Sequence, residues 1–91
     1  MSAELVTAVH GQGTADVVVH AHAGHLVPGL RRALIDALLD SPEARSSERL
    51  TATVPLGDAE SLLELTRRCE DVTVRAAGVS ALVDGRLILE R

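Results

Sequence analysis

Apolar positions change their spacing along the chain. Leu5–His10 is rich in Val, Thr and Ala, and Asp16–Ala23 carries Val17-Val18-Val19 near its start; both read as strands. Gly11-Gln12-Gly13-Thr14 lies between them and predicts a tight turn, so the two runs form an antiparallel hairpin. After a loop over Gly24–Val27, Pro28 suits the first turn of a helix, where a missing N–H costs nothing. From there to Leu39 the spacing is helical. Leu30, Leu34 and Leu38 recur every fourth residue, Ala33, Ile35 and Ala37 widen the stripe, and Arg31, Arg32, Asp36 and Asp40 fall on the other side. Ser41-Pro42 stops or kinks that helix, because the residue before proline disfavours the α region. Glu43–Glu48 reads as a polar connector.

In the second half Leu50, Ala52 and Val54 alternate with Thr51 and Thr53, giving a third strand closed by Pro55. Asp58 is the expected N-cap of a second helix and Glu60 an acid in its first turn. Leu62, Leu65 and Cys69 share one face of it, and Arg67 and Arg68 complement the dipole at its end. Val72–Val74 and Ser80–Val83 read as strands. Asp84-Gly85 has the composition of a hairpin turn and Leu87–Leu89 of a returning strand. The expected fold is α+β: a mixed, mainly antiparallel sheet with two helices, in the order ββαβαβ(β)β or, more simply, ββαβαββ. It forms a single domain over residues 1–91, with Leu30, Leu34, Leu38, Val54, Leu62 and Leu65 buried together.

Composition narrows the function. The chain has no Phe, Tyr or Trp, which removes base-stacking platforms, aromatic cages and a tyrosine acid. Nine basic residues, all Arg, against thirteen acidic ones give a net charge of −4, so nothing favours nucleic acid or an anionic membrane as partner. No apolar run approaches the ~20 residues of a membrane span. The N-terminus has no basic, signal-like start. The single cysteine, Cys69, forms no internal disulfide, and a cytoplasmic location is expected.

The stretch Val17–Leu39, VVVHAHAGHLVPGLRRALIDALL, resembles the acyl-CoA-binding strand, glycine-containing loop and helix of GNAT-type N-acetyltransferases. ERLTATVPLGDAESLLELTRRC resembles that family's next strand and helix, and VTVRAAGVSALVDGRLIL its closing hairpin. The resemblance spans nearly all of this chain but only the later part of the family's fold. It implies a GNAT-like half domain with acetyl-CoA or another acyl-CoA as cofactor. The family's loop binds the diphosphate through N–H groups at a helix N-terminus. Its pattern Gln/Arg-x-x-Gly-x-Gly/Ala, laid on Leu26–Arg31, is met at Gly29, while Leu26 and Arg31 take the other two positions and Pro28 removes an N–H. The cofactor-binding residues so implied are Val27, Gly29, Leu30, Arg31 and Arg32, the arginines offering side-chain donors. The family's usual tyrosine acid has no counterpart. Cys69, Asp16 and the strand carrying His20 and His22 are the groups near the positions of acid and base, and the resemblance implies transfer activity that is impaired or absent.

Two other readings stand beside this one. One is a non-enzymatic, STAS-like or other protein-interaction module with a protein partner; it lacks that family's Asp-Ser/Thr-Ser/Thr-Gly switch segment. The other is a small metal-binding protein. His20 and His22 are two apart on a strand and share a face, His10 sits on the partner strand, and His25 follows in the loop. No recognised ligand spacing completes that set, and no metal is expected. No serine lies in a Gly-x-Ser-x-Gly turn. A chain this short with uncovered strand edges, the first strand and Leu87–Leu89 being the candidates, is expected to form a two-fold homodimer.

Overall fold

The computed structural model describes residues 6–20 and 28–88. Strand β1, Val6–Gly11, turns at Gln12-Gly13 into β2, Thr14–Val19, with Gly11 opposite Thr14 and Val6 opposite Val19. Both turn residues have positive φ, 53° at Gln12 and 80° at Gly13, the backbone that matches the twist of a two-residue hairpin. Helix α1, Leu30–Leu39, then leads to a short helix α2, Pro42–Arg45. Here the sequence reading is corrected: the polar connector contains a helical turn. Ser41 caps it, its side chain accepting from the Ala44 N–H at 3.3 Å, and Pro42 takes the first position. Ala44 is driven into the core. Strand β3, Arg49–Pro55, lies parallel to β2, with Ala15 opposite Leu50 and Val17 opposite Ala52.

Helix α3, Ala59–Arg67, begins as expected at Asp58, whose carboxylate accepts from the Ser61 N–H at 3.1 Å. Strands β4, Cys69–Ala77, and β5, Ser80–Leu87, close the fold as an antiparallel pair. Their turn is Gly78-Val79, with Gly78 at φ 64°. Asp84-Gly85 is therefore no turn: β5 runs straight through it. Ala81, Val83, Gly85 and Leu87 keep one period-two face inward, and continuity of that face outweighs local turn propensity. At Gly85 an added Cβ would lie 3.1 Å from the Cys69 Cβ and 3.3 Å from Val72 Cγ2, so this glycine serves close strand approach.

The sheet order is β1-β2-β3-β5-β4, three antiparallel pairs and one parallel. The fold is α+β, mixed and mainly antiparallel, with α2 as a third helix beyond the two expected. The second edge is β4, not the segment after Asp84-Gly85: β5 is interior, hydrogen-bonded on both sides.

One face of the sheet carries the core. Ala15, Val17 and Val19, Leu50, Ala52 and Val54, and Ala81, Val83 and Leu87 lie beneath Ile35, Leu39 and Leu65. Burying each of the larger aliphatic side chains contributes about 1.5–3 kcal/mol. The expected stripe on α1 is rotated by about one residue: Ile35 and Leu39 are fully buried, whereas Leu30, Leu34 and Leu38 are half-buried. Val54 and Leu65 are buried as expected, and Leu62 is half-buried against the core. Helix α1 contacts both α3 and β1, so its innermost line is the one aimed between them. The opposite sheet face mixes polar side chains with Val9, Val18 and Leu82. There Thr51 donates to Asp16 at 3.0 Å and Arg49 to Asp84 at 2.7 Å.

Candidate functional site

The start of α1 is set by Gly29, which holds the left-handed conformation at φ 88°, with no atom of the other described residues within 4 Å of where a Cβ would be. No side chain from α1 itself caps the first turn, and no acidic residue lies in that turn. A helix N-terminus leaves N–H donors without intrahelical partners. Helix α3 supplies one partner: the Arg32 N–H donates to Glu60 Oε2 at 2.9 Å.

The two arginines face the same acidic helix. Arg31 is mostly covered, and its Nε is buried without a hydrogen bond, 3.6 Å from Asp58 Oδ2. Asp58 itself is held by the Ser61 hydroxyl, which donates at 2.7 Å. Arg32 keeps an exposed side chain, with Nε 3.4 Å from Glu64 Oε1. The structure thus gathers Gly29, Arg31 and Arg32 at one helix end, and Leu30 is half-buried beside them. Val27 lies outside the described residues, as does most of the loop before it.

Sequence reasoning missed the acidic groups opposite: Asp58, Glu60 and Glu64. The signal was present as an inversion of charge order. Helix α1 runs Arg31, Arg32, Asp36, Asp40, and α3 runs from Asp58, Glu60 and Glu64 to Arg67 and Arg68. Set side by side, basic meets acidic at both ends. Arg68 donates to Asp36 at 2.9 Å and to Asp40 at 2.8 Å, and Arg67 pairs with Glu64 in its own helix. The charged side of α1 is therefore in large part an ion-paired seam against α3.

Within the seam two carboxyls share their donors. Burial raises the Asp36 carboxyl above its usual range, and the adjoining Glu64 raises it further against the pull of Arg68. Burial acts in the same direction on Glu64, but hydrogen bonds from Arg67 and Asp36, with the charge of Arg32, hold it below the usual range.

Between α1 and α3 runs an open groove of about 770 Å³, lined by Gly29, Arg32, Glu60, Leu63, Glu64 and Arg67, with Thr66 beside them. Leu63 is 69% exposed and gives it an apolar wall. Arg32 and Arg67 put two exposed guanidinium groups at its rim. The groove offers a mixed lining: hydrocarbon, cations, and the α1 donors shielded by Glu60.

The two described histidines do not converge. His10 lies opposite Ala15, on the core-facing side of β1, while His20 follows Val19 at the other end of the hairpin. That is a separation of about 17 Å at the rise of an extended strand. His20 instead lies 3.4 Å from the Thr7 hydroxyl. His22 and His25 lie outside the described residues, and no group of three metal-ligating side chains occurs among the described ones. Cys69 opens β4 inside the core, and burial pushes its thiol up to about 11. Asp16 is on the open face, hydrogen-bonded to Thr51.

No helix among the described residues is long and apolar enough to cross a membrane. No family model and no curated protein matches the sequence. Among solved structures the chain is similar to yncA from Salmonella typhimurium, described as a "putative acetyltransferase" and solved with its cofactor acetyl-CoA. The two share 21% identity at a TM-score of 0.58, over 94% of this chain and 57% of that one. The chain thus spans little more than half the length of that structure. The described strands and helices share part of that structure's fold: a five-stranded mixed sheet with α1 and α3 on its core face.

Proposed function

We propose that this chain is a GNAT-like domain that binds acetyl-CoA or another acyl-CoA at the N-terminus of α1, with N-acetyltransferase activity impaired or absent. The observation that carries the reading is the start of α1. Gly29 turns the chain in a left-handed conformation, leaves room among the described residues where a side chain would stand, and begins a helix with no cap of its own. Backbone N–H groups in that setting bind anions, and the helix dipole adds to the attraction. Arg31 and Arg32 stand beside it, Arg31 with a buried Nε that makes no hydrogen bond among the described residues. These residues suit a diphosphate once Glu60 turns away. Leu63 gives the groove an apolar wall for the rest of the cofactor.

Acetyl-CoA supplies an activated acyl thioester when bound. The chain's own groups supply less. There is no tyrosine, and the one thiol is buried with its proton held tightly. Both facts support binding with weak turnover or none.

Thermal denaturation with and without CoA tests the reading. A ligand bound only by the folded state adds about 2.7 kcal/mol at a hundredfold excess over Kd. CoA is expected to raise the melting temperature, and Gly29→Glu and Arg31→Glu to abolish the shift while remaining folded by circular dichroism. No shift at millimolar CoA would favour the protein-interaction module instead.

A further inference from the structure

We propose that β4 is a self-association edge, where two copies of the chain pair antiparallel about a two-fold axis at Val74. This inference does not depend on acyl-CoA binding. Strand β4 is outermost in the sheet, nine residues long, and pairs among the described residues only with β5. Every residue from Thr73 to Gly78 is exposed. The strand has neither lysine nor proline to discourage pairing, and such an edge is a template for another strand. A bulge between Glu70 and Thr73, with Asp71 at φ 56°, interrupts its first part. Thr73–Ala77 is regular, each residue in step with β5.

The side chains are self-complementary in this arrangement. Val74 and Ala76 lie opposite Val83 and Ala81 and so share the core-facing side; Val72 packs on that side, against Gly85. Val74 is 46% exposed there, an apolar side chain at the rim of the core with no described residue paired beyond it. A two-fold at Val74 sets it against the second copy's Val74, and each Val72 against the second copy's Ala76. The core then continues across the junction. On the open face, Thr73 comes opposite the second copy's Arg75.

Charge favours the antiparallel sense and a second copy as occupant. Glu70 and Asp71 share one cation, Arg86, at 2.6 and 3.1 Å, which leaves one negative charge in excess. Arg75, further along the same strand, has no carboxylate within 4 Å among the described residues. Antiparallel pairing about Val74 places each Arg75 diagonal to the second copy's Asp71 on one side and to the second copy's Arg75 on the other, two attractive contacts against one repulsive one. Parallel pairing would set like charges together. The other edge, β1, carries no acidic or arginine side chain with which to select a partner.

Sedimentation equilibrium at micromolar concentration, combined with two cysteine variants, tests the proposal. The expected mass is twice the 9.6 kDa of the chain. Arg75→Glu is expected to weaken association severalfold at low salt, with the difference shrinking at high salt. Mild oxidation of Val74→Cys is expected to give a disulfide-linked dimer, since residues facing each other across a strand pair stand at disulfide distance. Val9→Cys, on β1, is expected to give none. A 9.6 kDa monomer throughout would overturn the proposal, and so would cross-linking through Val9→Cys but not Val74→Cys. Circular dichroism of each reduced variant separates loss of pairing from loss of fold.

Discussion

The backbone N–H of Arg32 donates to the Glu60 carboxylate at 2.9 Å, so α3 caps α1 across the interhelical groove. A carboxylate and a ligand diphosphate compete for the same donor, which makes Glu60 an internal occupant of the proposed anion site. Glu60→Ala is expected to lose roughly the worth of a helix cap, about 0.5–2 kcal/mol in denaturant titrations. The same variant should bind CoA more tightly than the parent by isothermal titration. Weaker CoA binding in Glu60→Ala would show that Glu60 helps the ligand rather than excluding it.

Ile35 and Leu39, not Leu34, carry the core line of α1. Ile35→Ala is expected to cost ~2–5 kcal/mol, because it removes a side chain with no exposed surface and leaves a cavity. Leu34→Ala, at a half-buried position, should cost less than about 2 kcal/mol. Urea midpoints at a common m-value give both numbers. An equal loss at the two sites would place the helix in a different rotation.

Gly85→Ala tests the close approach of β5 and β4. The new methyl would meet the Cys69 Cβ at 3.1 Å and the Glu70 carbonyl oxygen at 3.4 Å, both fixed to the neighbouring strand. Overpacking of this kind costs about 1–3 kcal/mol. A neutral or stabilising Gly85→Ala, read from thermal denaturation, would mean that β4 moves aside freely.

Cys69 gives stability an alkaline limit. Its thiol rises from 9.0 to about 11 on burial, so the folded chain holds this proton more tightly than the unfolded one. The resulting stabilisation is complete below pH 9 and is lost as pH rises through the folded value, about 11. Cys69→Ala is expected to flatten the fall of stability across that interval. The native thiol should also react slowly with a disulfide reagent at neutral pH and rapidly after unfolding.

The local sequence determined the hairpin at Gln12-Gly13, the Asp58 cap, the stop at Ser41-Pro42 and, α2 and the strand through Asp84-Gly85 aside, the order of strands and helices. Each depends on backbone preferences within a few residues, so each is legible before any packing is known. Gly29, Arg31 and Arg32 were legible as the start of a helix for the same reason. The tertiary structure decided the rest. Asp84-Gly85 has turn composition, yet it lies in a strand because Ala81, Val83 and Leu87 must share one buried face and Cys69 needs a neighbour without a Cβ. Which of Leu34 or Ile35 points inward depends on where α1 rests between α3 and β1, and helical periodicity leaves that rotation open by a residue. Arg31 and Arg32 meet Asp58, Glu60 and Glu64 only because two helices about thirty residues apart in sequence pack side by side. Charge spacing within one helix cannot specify the neighbour that will neutralise it; that requires the sheet that carries both.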